Sequence, residues 1–181
     1  AYLAGKLTAS DDIINGLDKL PKCVGEIIEN QDKIEVLAKK FLNTKEVIIL
    51  GRGYSAALMD EMVLKMKETT YINSSCYSVP DFYHGPFALA EQSKTFILIN
   101  NSGKGQKDVE DAKKRLLDIG IKPFVVSDFD SSADFLIAKL PECMSALLYV
   151  VFMQLLVLKL SSLKGLNPDM PRGLKKITVT K

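Results

Sequence analysis

Apolar positions recur along this chain at two different spacings. From Ile27 through Ile28, Ile34, Leu37, Ala38, Phe41 and Leu42 the gaps suit one face of a helix. Pro21 fits the first turn of that helix, and Asn43-Thr44 ends it. Ahead of it, Ser10 followed by Asp11 and Asp12 reads as an N-cap with acids in the first turn. At Val47 the period changes. Val47-Ile48-Ile49-Leu50 is a continuous apolar run closed by Gly51, the pattern of a strand buried on both faces. Thr95-Phe96-Ile97-Leu98-Ile99 and Pro123-Phe124-Val125-Val126 repeat that pattern, Phe135 to Ala138 predicts a fourth strand, and a weaker alternation from Thr70 to Val79 leads into a loop at Pro80. Between them, helices are predicted over 56–67, over 106–119 with Gly120 just past the end, and over 144–163.

Strands alternating with helices through short glycine-bearing turns imply an α/β fold: a three-layer sandwich with a parallel sheet of about five strands flanked by helices. The chain divides into an N-terminal helical arm (1–45), a core (46–165) and a C-terminal tail (166–181). Ligands of such sheets bind beyond the carboxyl ends of the strands.

Composition narrows the function. At 181 residues, 47% apolar and 25% charged, the chain can bury a full core. Its net charge of +2 gives no broad basic field, so no nucleic-acid partner is expected. One histidine and three scattered cysteines (Cys23, Cys76, Cys143) rule out a zinc cluster or a disulfide framework, and no metal is expected. Free thiols without a leader peptide suit a reducing cytoplasm. The run from Cys143 to Leu158 is shorter than a membrane span and contains Gln154, so it reads as a buried core or interface helix rather than a membrane segment.

Two loops are candidates for anion binding. Gly51-Arg52-Gly53-Tyr54-Ser55 joins a strand to a helix, with glycines for close approach, a hydroxyl, and the free N–H groups of a helix start. It lacks the full dinucleotide fingerprint, and no acid follows at the spacing a ribose requires, so no cofactor is expected. Asn100-Asn101-Ser102-Gly103-Lys104-Gly105 repeats the arrangement. Each is also compatible with an ordinary capped turn. Glu61, Lys65 and Glu68 share a helix face and suit either a solvated ion-pair stripe or a site. That helix is expected to bring Glu68 to the ligand edge of the sheet. His84, in Asp81-Phe82-Tyr83-His84-Gly85-Pro86, suits a structural turn as well as acid–base work.

Taken together, Gly51-Arg52-Gly53-Tyr54, Leu64-Lys65-Met66-Lys67-Glu68 running into Tyr71-Ile72, His84-Gly85-Pro86 with Ala88-Leu89, and Pro171-Arg172-Gly173-Leu174-Lys175-Lys176-Ile177-Thr178-Val179 resemble the SIS (sugar isomerase) domain. The likeness is to the second SIS domain in the isomerase half of glucosamine-6-phosphate synthases and related fructosamine-6-phosphate deglycases, over residues 17–181, and it implies a flavodoxin-like sandwich. It also implies catalytic roles for three residues: Glu68 moving a proton between C1 and C2 of an open-chain sugar, His84 opening the ring and able to act from a neighbouring subunit, and Lys176 reaching the reactive carbonyl from a tail laid over the site. Gly51, Gly53, Ser55, Ser102 and Gly103 are the expected substrate-binding set. Such an aldose–ketose shift needs a carboxylate base, a second acid–base group and a cation for the enediolate.

The chain departs from the family pattern in three ways. Asn100-Asn101 replace the usual Ser-Gln pair, Asn73 stands where the synthase has a histidine, and neither a first SIS domain nor a glutaminase domain is present in the sequence. The resulting expectation is the C-terminal SIS domain of a phosphosugar isomerase or fructosamine-6-phosphate deglycase, acting on a sugar 6-phosphate as a homo-oligomer, most simply a dimer. The alternative is a non-catalytic sugar-phosphate-binding or structural SIS module. Sugar 6-phosphates are expected to bind this chain alone weakly or not at all, given the departures.

Overall fold

The structure is a computed structural model and describes residues 11–91 and 94–173. Five strands, β1 (Glu46–Gly51), β2 (Asn73–Ser78), β3 (Thr95–Asn100), β4 (Phe124–Ser127) and β5 (Phe135–Leu136), form one sheet in the order β2-β1-β3-β4-β5. Every neighbouring pair is parallel, with Glu46 opposite Asn73, Val47 opposite Thr95 and Ile97 opposite Phe124. This is the flavodoxin-like order, whose topological switch point lies between β1 and β3.

The unbroken apolar runs follow from helices covering both faces. Val47, Ile49, Ile97, Ile99 and Val126 point into one core with α1 (Asp11–Glu29), α2 (Gln31–Ala38), α3 (Tyr54–Thr70) and α6 (Glu142–Leu163). Ile48, Leu50, Phe96, Leu98 and Val125 point into the other, with α4 (Val79–Tyr83) and α5 (Gln106–Asp118). Adjacent residues of a strand face opposite ways, so a two-sided core needs both to be apolar.

The helix expected from the apolar run at Cys143 is α6, and it is the centre of the first core. Phe152, Met153, Leu156 and Leu160 are fully buried between α3 and the α1–α2 pair. Each such side chain contributes about 1.5–3 kcal/mol through burial. Among the described residues α6 alone is long and apolar enough to cross a membrane, and here it serves as a core helix. Its outward stripe includes Leu147 and Leu158, which are 45% and 44% exposed.

Four boundaries differ from the expectations. Pro21 does not begin a helix but lies inside α1, where the donor it lacks would have served the carbonyl of Leu17 on the exposed side. The break comes instead at Asn30, whose side chain donates back to the Glu26 carbonyl at 2.8 Å. α3 runs on to Thr70, so β2 starts only at Asn73. The stretch after Val79 is a short helix rather than a loop, because Pro80 suits its first turn and the Ser78 hydroxyl accepts the Asp81 N–H. The fourth strand shortens to Phe135–Leu136. Within residues 11–45, Cys23, Ile27, Ile34, Leu37 and Phe41 belong to the same core as α6.

Candidate functional site

The expected site residues separate to opposite edges of the sheet. Gly51 ends β1, Gly53 and Ser55 follow it, and Ser102 and Gly103 follow β3, so all five lie at the carboxyl edge beside the switch point. Between the two loops is a cavity of about 590 Å³, within the range of small-ligand clefts. Arg52, Gly53 and Tyr54 line one side, Lys104, Gly105 and Asp108 the other, and Glu142 reaches in from the start of α6. Gly53 has φ +64° and Gly103 φ +139°, conformations that an L side chain rarely adopts.

The hydroxyls of these loops have internal partners. Ser55 is only 1% exposed, and its Oγ donates to Asn101 Oδ1 at 3.2 Å. Ser102 gives its backbone N–H to Asp128 Oδ1 at 2.6 Å and its hydroxyl to Asp128 Oδ2 at 2.9 Å. Asp128, just past β4, is 6% exposed and also receives the Ser145 hydroxyl at 3.5 Å. Arg52 Nε donates to Asp108 Oδ2 at 2.9 Å.

Glu68 is elsewhere. α3 leaves the carboxyl end of β1 and must return the chain to the amino end of β2, where the Asn73 N–H meets the Lys45 carbonyl at 3.0 Å. Glu68, two residues before the end of α3, therefore stands at the amino edge and not at the carboxyl edge expected for it. The misplacement has a simple cause: in a parallel sheet each crossover helix ends where the next strand begins, opposite the ligand edge.

The last turn of α3 is held in place. Thr69 and Thr70 hydroxyls donate to the Lys65 and Met66 carbonyls at 2.8 and 2.6 Å, and Ser161 Oγ of α6 donates to the Thr69 carbonyl at 2.9 Å. Tyr71 then takes the left-handed conformation, φ 56°, that ends the helix. On the exposed face Lys65 Nζ lies 3.0 Å from Glu68 Oε2 and 3.8 Å from Glu61 Oε1. The bond to Glu68 raises the Lys65 ammonium above its usual value, against a smaller opposing effect of burial. The Glu68 side chain remains 27% exposed.

The first described part of the tail arrives at the same place. The Arg172 N–H donates to Tyr71 Oη at 2.8 Å, and the Arg172 guanidinium lies 4.7 Å from the Tyr71 ring centre. Lys176 lies outside the described residues. His84 is exposed, at the end of α4. α4 covers the face of the sheet opposite to α3, so one chain places His84 and Glu68 in different layers.

Sequence reasoning missed Asp128 and Glu142. Both sit at the carboxyl edge, and their signal was position: Asp128 directly follows a buried strand and Glu142 opens a helix. A polar residue there is a candidate whatever its type.

The comparisons with known proteins fit this architecture. The family model for the SIS domain matches residues 40–160. The chain is 35% identical over 191 residues to a glutamine–fructose-6-phosphate aminotransferase (isomerizing) of a Nostoc species, covering 97% of this chain and 30% of that protein. It spans less than a third of the length of the curated relatives first matched. Among solved structures, the C-terminal domain of glucosamine-fructose-6-phosphate aminotransferase from Francisella tularensis matches with a TM-score of 0.75 at 18% identity, over 83% of this chain and 44% of that one. Glucosamine-6-phosphate deaminase from Thermotoga maritima matches with a TM-score of 0.72 at 22% identity, over 99% and 53%. The chain belongs to the SIS domain family.

Proposed function

We propose that this chain carries the proton-transfer edge of an enzyme acting on sugar 6-phosphates, a phosphosugar isomerase or a fructosamine-6-phosphate deglycase. The observation that carries the reading is the fixed, ion-paired and partly exposed Glu68 at the end of α3. The ion pair with Lys65, 3.0 Å away, fixes the direction of the carboxylate. Glu68 takes a proton from C1 or C2 of the open-chain sugar, leaves an enediol, and returns the proton to the neighbouring carbon. With an amine on C1 the same transfer gives an imine, which water hydrolyses to the free amine and the aldose phosphate. The relatives' names, an aminotransferase that isomerises and a deaminase of glucosamine 6-phosphate, support a C1–C2 substrate of this kind.

The reading calls for a second copy of the chain, most simply a homodimer, because His84 and Glu68 occupy opposite layers of one sandwich. Lys176 supplies the cation near the carbonyl, from the tail that Arg172 leads toward Tyr71. The cytoplasm is the compartment that suits three free thiols and a phosphorylated metabolite. Of the second reading, a sugar-phosphate-binding or structural module without catalysis, the internal partners of Ser55 and Ser102 favour the structural form.

The test is Glu68→Gln in the full-length protein, which keeps shape and removes the base. Turnover should fall by about 10²–10⁴-fold with substrate affinity nearly unchanged. Unchanged turnover would leave Glu68 as a helix ion-pair residue and favour the module.

A further inference from the structure

Three helices begin at the rim of the carboxyl-edge cavity: α3 at Tyr54, α5 just after Gly105, and α6 at Glu142. Each presents unpaired N–H groups and partial positive charge in its first turn. Lys104 adds a full charge, and Arg52 a second that Asp108 of the same lining offsets. A place with this potential attracts an anion.

The anion found there belongs to the chain. The Glu142 carboxylate lies between the two glycine loops: a Cβ built on Gly53 would come 2.8 Å from Oε1, and one on Gly103 2.6 Å from Oε2. Both loops thus combine a missing side chain with a positive φ at the points where the carboxylate rests. The flanking donors are taken as well, Ser102 by Asp128 and Arg52 by Asp108. Among the described residues Lys104 is the cavity cation without an ion pair.

We propose that Glu142 sets the charge preference of this cavity: its carboxylate stands in the place of a phosphate, so the switch-point edge of this domain excludes phosphorylated ligands. A phosphate entering the cavity would stand beside a like charge at the same two loops, and the two repel. The assignment is independent of Glu68, which lies at the other edge.

The test measures binding of inorganic phosphate by the full 181-residue chain, read from the backbone amide shifts of Gly53, Gly103 and Gly105. Wild type should show no saturable shift at these amides. Glu142→Ala, which removes both charge and bulk, should bind roughly tenfold tighter or more, with saturable shifts at all three, and Lys104→Ala in that background should abolish them. Glu142→Gln, which keeps the bulk, should gain less and serves if Glu142→Ala does not fold. Saturable shifts of equal strength in wild type would overturn the proposal. So would a folded Glu142→Ala, or failing that a folded Glu142→Gln, that gains nothing. None of these results bears on the Glu68 reading, which is judged by turnover.

Discussion

The two edges of this sheet use polar residues in opposite ways. At the carboxyl edge the glycine loops, the buried Ser55 and the doubly bonded Ser102 are tied to Asn101, Asp128 and each other's surroundings. At the amino edge Glu68 is tied, among the described residues, to Lys65 and keeps part of its surface toward solvent, beside the arriving tail. The first edge has the form of a ligand site and spends its donors on structure. The second holds a carboxylate in a fixed place at the end of a helix. Under the proposed function the edge with the familiar loop pattern is not the edge that does chemistry, and the hydrogen-bond partners tell the two apart.

The sharpest way to break this comparison is to weaken both edges in the full-length protein. Glu68→Gln should cost about 10²–10⁴-fold in turnover, whereas Ser55→Ala should leave turnover near wild type, as steady-state kinetics would show. A large loss from Ser55→Ala would return the carboxyl edge to the active site.

The next effect is on stability. Asp128→Ala leaves the N–H and hydroxyl of the half-buried Ser102 without their acceptor, and should cost about 1–3 kcal/mol in a denaturant titration. A cost below half a kcal/mol would mean that water replaces the carboxylate and that the loop is open to ligands after all.

Much of this was legible beforehand. The runs at Val47, Phe96 and Phe124 specify buried strands because only a sheet covered on both faces makes every position apolar. The strand order and the edge occupied by Glu68 were not legible in the same way. The order is set by crossover packing, and the edge follows only once each helix is traced back to the start of the next strand. Pro21 misled because its lost donor falls on the exposed side of α1, where a proline is tolerated. Asp128 and Glu142 carry no motif, since their partners lie 26 residues away in one case and on two separate loops in the other.

Smaller effects sharpen the amino edge. Ser161→Ala removes the hydroxyl that holds the Thr69 carbonyl and should cost about 1 kcal/mol. It should also lower turnover modestly if the last turn of α3 positions Glu68, which stability alone would not reveal. No change in either would detach α6 from the site.

The smallest expected effect is a control away from both edges. Bonds from Ser132 and then Lys113 hold the Asp130 carboxyl at about 2, below its ordinary 3.8. A carboxyl lowered by folding stabilises above its unfolded value and loses that contribution as pH falls through the folded one. Asp130→Asn should therefore be less stable than wild type by about 1 kcal/mol at neutral pH, with the gap closing between about pH 4 and pH 2. A gap that persists at pH 2 would place the effect in packing rather than charge.

The most direct measurement is exchange of the substrate's C1 and C2 hydrogens with solvent deuterium, followed by NMR in the full-length protein. Wild type and Ser102→Ala should both exchange, and Glu68→Gln should lose exchange together with turnover. Exchange at the normal rate in Glu68→Gln, or its loss in a folded Ser102→Ala, would contradict the assignment of proton transfer to the amino edge.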